Sequence, residues 1–184
     1  MESQSYLYLV FSTCFGYCAL IYRTNPFLVS RLILPRLNKN EIFERLDKNG
    51  AIIRQSHEKV FKIKKRIADY FKGIPIQTPF EWLDMKGFTD LQKKVLTATS
   101  NIEYGNCCSY KEIAANIGRP KACRFVGNTL AINPFPILIP CHRVIRSDLT
   151  TGQFRGGTDL KRKLIEHEAR TVKSKTQRFF QPLP

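Results

Sequence analysis

Cys141 is followed directly by His142, which places a nucleophile and a base side by side in the chain. A free thiol has a pKa near ~8.5, so little of it is thiolate at neutral pH. A nucleophilic cysteine therefore needs a base, and the base needs a group that orients it. Histidine is scarce: His57, His142 and His167 are the three in the chain. Glu168, beside His167 near the end of a predicted helix, is an acid able to orient His142, while His167 itself reads as a solvated helix-end residue. The other cysteines are Cys14, Cys18, Cys107, Cys108 and Cys123; they form no CxxC pair. Cys14, Cys18 and the distant His57 make a poor zinc site, so no metal is expected. Without a secretion signal, the expectation is a reducing compartment and free thiols, most of them buried as small hydrophobes.

The charge balance indicates what such a nucleophile would meet. Lys and Arg number 30 against 15 Asp and Glu, a formal net charge of +15. A field of that sign attracts polyanions, nucleic acid first among them. Apolar residues make up 43% and charged residues 24%, as in a globular chain long enough to bury a core. The uncharged stretch Tyr6–Tyr22 falls short of the ~20 apolar residues a spanning helix needs. Ser12, Thr13 and Gly16 interrupt it, and Glu2 stands where a signal peptide carries Lys or Arg. No membrane association is expected, and the predicted location is the cytoplasm, or the nucleus of a eukaryotic cell.

The elements that must position these residues fall into two halves. Tyr6–Phe11, Phe15–Tyr22 and Val29–Leu34 are rich in aromatic and branched residues and predict strands, with a turn at Thr24-Asn25-Pro26. Val60, Ile63, Ile67 and Phe71 follow a helical stripe that ends at Gly73. Pro75 and Pro79 then mark an extended linker. Beyond it, Thr89-Asp90-Leu91-Gln92 and Ser109-Tyr110-Lys111-Glu112 are capping boxes opening two helices. Gly118 breaks the second, and Pro120 is expected in the first turn of the next, which runs to about Ile132 and ends at Asn133-Pro134. This short helix, Gly-containing turn and basic second helix read as a helix-turn-helix. Ile137-Leu138-Ile139 predicts a buried strand leading into Cys141, and Thr158 is expected to cap a last helix through about Glu168. The domains expected are residues 1–80, 81–169 and a basic tail, 170–184.

The run Asn133-Pro134-Phe135-Pro136-Ile137-Leu138-Ile139-Pro140-Cys141-His142-Arg143-Val144 resembles the signature of the O6-alkylguanine-DNA alkyltransferases, or methylated-DNA–protein-cysteine methyltransferases. The resemblance extends to Tyr104-Gly105, Ser109-Tyr110, Ala122–Asn128, Gly156-Gly157 and His167-Glu168, covering roughly Thr89 to Ala169. It implies an α/β (α+β) fold: a β-rich, ribonuclease-H-like N-terminal domain, then a mainly helical DNA-binding domain with the helix-turn-helix. It implies a single-turnover methyltransferase that repairs O6-alkylguanine, and less efficiently O4-alkylthymine, in double-stranded DNA, without a cofactor and as a monomer.

The same resemblance implies roles for individual residues. Cys141 would accept the alkyl group, His142 would deprotonate it through a water, and Glu168 would hold His142. Asn133 would link the recognition helix to the site, and the Tyr110 hydroxyl would stabilise the departing guanine. Arg124 would fill the gap left by the extruded nucleotide, with Tyr110, Lys111, Arg119, Gly127 and Ser147 as further DNA contacts. Pro136, Val144, Phe154, Arg155 and Gly156 would form the substrate pocket. One departure stands out: the loop commonly reads Gly-x-Tyr-Ser-Gly-Gly in the family, and here it reads Gly152-Gln153-Phe154-Arg155-Gly156-Gly157. It bears on pocket size and alkyl preference, not on reaction class. The tail Lys173–Phe180 loosely resembles a sliding-clamp-binding peptide. Two other readings compete. An alkyltransferase-like protein that binds the lesion without transfer would lack the cysteine of Pro-Cys-His-Arg, which is present here. A cysteine hydrolase would leave the helix-turn-helix and the +15 charge unexplained.

Overall fold

The computed structural model describes residues 6–47, 51–54 and 57–172, with 51–54 described by backbone alone. The contacts divide the chain into two units, Met1–Asp84 with Pro134–Pro136, and Met85–Asn133 with Ile137–Pro184. The tail segment Lys173–Phe180 lies outside the described residues.

The first unit is a four-stranded sheet ordered β3-β2-β1-β4. Its strands are β1 (Tyr6–Thr13), β2 (Gly16–Thr24), β3 (Phe27–Arg36) and β4 (Ala51–Arg54). The first three form an antiparallel meander, and β4 joins β1 in parallel after the crossover helix α1 (Lys39–Asp47). Side chains alternate between the faces of a strand. Ala19, Ile21 and Ile33 pack on one face against Ile42 and Leu46 of α1. On the other lie Leu7, Leu9, Phe11, Leu20 and Tyr22, where α2 (Glu58–Phe71) buries Val60, Ile63, Ile67, Tyr70 and Phe71. Covering both faces explains why β2 carries an unbroken buried run from Cys18 to Tyr22. His57 caps α2, its Nδ1 accepting from the Lys59 N–H at 3.1 Å, and stacks on Phe27.

Helix α1 and strand β4 were not expected from the sequence. The helix buries only Ile42 and Leu46, leaving Phe43 exposed, so its stripe is too short to stand out.

The second unit contains α3 (Asp90–Ser100), β5 (Cys108–Ser109), α4 (Tyr110–Asn116), α5 (Cys123–Ala131), β6 (Val144–Ile145) and α6 (Thr158–Thr171). Both capping boxes form: Thr89 with Gln92 opens α3, and Ser109 with Glu112 opens α4. Val95, Leu96, Ile113, Val126 and Leu164 are buried here, each at 0% exposure. The mixed class expected from the sequence is the class observed: a sheet with covering helices, then a mainly helical unit. Among the described residues no helix is long and apolar enough to cross a membrane.

Three local expectations need correction. Ile137–Ile139 is a buried turn, not a strand, with Ile137 at φ 70°. Pro136 and Pro140 flank it, and proline cannot donate to a strand ladder. Pro120 does not open α5. Arg119-Pro120-Lys121-Ala122 is instead a turn closed by the Ala122 N–H on the Arg119 carbonyl at 2.8 Å, with proline at the position where a turn favours it. The residue capping α6 is Gly157, not Thr158, and it makes no side-chain cap bond.

The β1–β2 turn leaves no room for a side chain. Gly16 has φ +114°, and a Cβ there would meet the Arg36 carbonyl oxygen at 2.5 Å. Gly16→Ala should therefore cost ~2 kcal/mol or more, through both left-handed backbone strain and the clash. A urea-unfolding midpoint equal to that of the wild type would contradict this.

Candidate active site

Cys141 opens a single 3-10 turn, Cys141–Arg143, in which all three residues are buried. The Cys141 N–H donates to the Ile139 carbonyl at 2.8 Å. Asn133, 1% exposed, donates from Nδ2 to both the Ile139 carbonyl at 3.0 Å and the Cys141 Sγ at 3.2 Å. Asn133 is thus more than a helix end: it fixes the turn before the cysteine and the thiol itself.

Glu168 is the hub of the site. It is 1% exposed, and a carboxylate so buried needs partners. One oxygen lies 2.7 Å from His142 Nε2. Arg143 donates Nε to Oε2 at 2.9 Å and Nη2 to Oε1 at 3.1 Å, a bidentate pairing. The Gly105 N–H donates to Oε2 at 2.9 Å. Arg143 Nη1 also reaches the Ile102 carbonyl at 2.6 Å. Burial alone would raise the Glu168 pKa, but the Arg143 charge and the hydrogen bonds from His142 and Arg143 outweigh it and bring the carboxyl to about 2. The acid is ionised at neutral pH and must accept, so His142 Nε2 carries the proton it donates. Burial, with the nearby positive charges of Arg143 and Lys161, pushes the His142 pKa down, against the pull of Glu168. The ring is therefore neutral, and Nδ1 is its basic nitrogen.

Two functional residues escaped the sequence reading. Arg143 lay inside the signature without a role. Lys161 is fully buried, its Nζ donating to the Val144 carbonyl at 2.6 Å and lying 5.8 Å from the Tyr110 ring centroid. Burial lowers its pKa to about 8. The missed signal was helical spacing: Lys161, Leu164, Ile165 and Glu168 form the buried face of α6. Burial also pushes the Cys141 thiol up, while the Asn133 hydrogen bond and the charges of Lys161 and Arg155 pull it down.

A cavity of about 770 Å³ opens at Cys141. Tyr110, Lys111, Arg124, Gly127, Ser147, Phe154 and Arg155 line it, so the structure gathers most of the expected DNA-contacting and pocket residues around the thiol. Phe154 stands edge-on to His142 at 6.4 Å between ring centres. What faces Gly127 is the Tyr110 ring, in van der Waals contact with the space a Cβ would take. Arg119 is exposed in the turn before α5 and off this wall. Pro136, Val144 and Gly156 do not line the cavity. Pro136 belongs to the first unit, Val144 is buried in β6 and acts through its carbonyl, and Gly156 sits in the turn closed by the Gly157 N–H on the Phe154 carbonyl.

Residues 90–170 match the family described as 6-O-methylguanine DNA methyltransferase, DNA binding domain. A methylated-DNA–protein-cysteine methyltransferase of Haemophilus influenzae is 33% identical over 165 residues, covering 82% of this chain and 87% of that one. This chain belongs to the methylated-DNA–protein-cysteine methyltransferase family. The family relative from Methanothermobacter thermautotrophicus is 39% identical over 107 residues, and the match spans 60% of its length. The fold follows suit: Mycobacterium tuberculosis OGT, solved in complex with DNA, superposes with a TM-score of 0.70 at 28% identity, covering 90% of this chain and 94% of that one. Membership in this methyltransferase family brings DNA binding and methyl transfer from DNA to a protein cysteine as the class of activity.

The buried ion pair makes a stability prediction. Glu168→Gln keeps the shape but strands the Arg143 charge, and should cost ~3 kcal/mol or more at pH 7. The Glu168 pKa is about 2 in the fold against an ordinary value of 4.5. Its contribution is therefore complete above pH 4.5 and lost as pH falls towards 2. Denaturant unfolding of both proteins across that range should show their difference shrinking with acid; a constant difference would refute the assignment.

Proposed function

We propose that this chain repairs O6-alkylguanine, and less efficiently O4-alkylthymine, in double-stranded DNA by moving the alkyl group onto Cys141 Sγ. The observation that carries the reading is the buried Cys141–Asn133 contact beside the His142–Glu168 pair, on a cavity that α4 and α5 also line. His142 Nδ1 takes the thiol proton through a water, and the thiolate attacks the alkyl carbon. The C–O bond breaks, its electron pair passes to the guanine, the Tyr110 hydroxyl stabilises the departing base by hydrogen bonding, and the proton released by the thiol ends on that base. The product is a stable thioether, so one molecule repairs one lesion, and the step balances without a cofactor.

The O6 atom takes part in base pairing, so the nucleotide must leave the stack before transfer, at a cost of a few kcal/mol. Arg124, exposed on α5 at the cavity wall, is placed to fill the gap it leaves. Lys111 and Ser147 are exposed at the same wall and Arg119 in the turn before α5, available for phosphate contacts, while Gly127 adds no side chain to the wall. The protein acts as a monomer in the compartment that holds the DNA, cytoplasm or nucleus.

Incubation with duplex DNA containing O6-methylguanine should add one methyl group to Cys141, read by intact mass and peptide mapping, and Cys141→Ala should gain none. No mass change on the wild type would end this reading. Arg124→Ala should slow transfer from duplex DNA ~10-fold or more relative to its effect on free O6-benzylguanine, because only the duplex needs the gap filled. Equal loss on both substrates would refute that role for Arg124.

A further inference from the structure

The cavity wall carries four cations, Lys111, Arg124, Arg146 and Arg155, and no carboxylate. Lys111 and Arg124 stand on α4 and α5 and serve the DNA face. Arg146 and Arg155 lie in the segment that follows Cys141, and the methyl transfer described above routes no bond change or proton through either.

Both point their influence inward. A Cβ built at Gly152 would lie 3.3 Å from the Tyr110 hydroxyl and 3.7 Å from the Arg146 Cγ, so these two side chains converge on one spot of the wall. The charge of Arg155 is felt at the Cys141 thiol, and that of Arg146 at the Tyr110 hydroxyl. Neither arginine forms an ion pair within 4 Å among the described residues, whereas Arg143, also beside the site, is bound bidentately to Glu168. A guanidinium is a planar fork that fits a carboxylate.

Resting on the reading that Cys141 accepts O6 substituents of guanine, we propose that Arg146 and Arg155 adapt this cavity to substituents ending in a carboxylate, of which O6-carboxymethyl is the simplest. The bond changes are those of methyl transfer. The Cys141 thiolate attacks the methylene carbon, the C–O bond breaks with its electron pair passing to the guanine, and the base takes up the proton released by the thiol. The product is S-carboxymethylcysteine. What differs is electrostatic: a thiolate must approach a carbon bearing a second negative charge. Arg146 and Arg155, both exposed at the cavity wall, offset that repulsion.

The test measures single-turnover rates of the full chain on duplexes carrying O6-carboxymethylguanine or its neutral carbamoylmethyl amide, which has the same size. DNA contacts are common to both, so the ratio of the two rates isolates the substituent's charge. The wild type should transfer the carboxymethyl group at least as fast as the amide. Arg155→Ser and Arg146→Ser should each lower the ratio by about 10-fold, the worth of a charge-assisted hydrogen bond. Arg155→Lys should recover part of it. Ratios unmoved in both serine variants would overturn the proposal while transfer of either group still upheld Cys141 as acceptor. Failure of the wild type to transfer any group, methyl included, would overturn both.

Discussion

The buried carboxylate of Glu168 is the constraint on which the site depends. An ionised acid out of water is tolerated only when its oxygens are filled by donors. Glu168 obtains them from two parts of the second unit, His142 and Arg143 in the 3-10 turn and Gly105 after α3, while the acid itself comes from α6. Satisfying one side chain thus fixes where α6, the Cys141 turn and the segment after α3 must stand. The imidazole tautomer follows from the same fact, since a carboxylate can only accept, and the ring must then turn its lone pair to Nδ1. Arg143 closes the arrangement by carrying the positive charge that lets Glu168 remain ionised while His142 stays neutral.

Three smaller ties then bring the thiol to its substrate. The short parallel pairing of Cys108 with Val144 and Ser109 with Ile145 joins the start of α4 to the end of the Cys141 turn. Ser109 is also the cap of α4, so the pairing that positions the turn positions Tyr110 as well. Lys161 reaches from α6 to the Val144 carbonyl and lies beside the Tyr110 ring, and Asn133 holds the thiol from the far side of the Ile137 turn. Ile137 takes a backbone conformation that branched residues rarely adopt, and strain of that kind persists where its surroundings over-determine it. Here those surroundings are the Asn133 bonds to Ile139 and Cys141.

Much of this was legible in the residues, and the remainder has physical reasons for escaping. The capping boxes at Thr89 and Ser109 were readable because a cap is a local event. The nucleophile, its base and the orienting acid were nameable because few residue types do that chemistry, and the signature supplied the link across 26 residues between His142 and Glu168. The turn before Cys141 was misread because an apolar run looks alike as strand or as buried turn; the prolines were the better guide. Pro120 was assigned to a helix when its fixed φ suits a turn equally well. Arg143 and Lys161 were passed over because basic residues are usually solvated, and burial becomes visible only when the partner is. Val144 and Pro136 were expected in the pocket from their place in the signature, but nearness in sequence does not say which way a side chain faces.

The electrostatics of Cys141 make sense for a nucleophile that acts once. Burial raises the thiol's pKa, which protects it from adventitious electrophiles and oxidants that need thiolate. The opposing influences of Asn133, Lys161 and Arg155 lie close by but do not by themselves win. A catalytic thiol that turned over many times would gain from a standing thiolate population. A protein consumed by its own reaction gains more from keeping its single equivalent unreacted until a substrate closes the cavity and His142 can take the proton. On that argument the high resting pKa and the neighbouring cations are complementary: one preserves the nucleophile, and the other stabilises the charge once it forms.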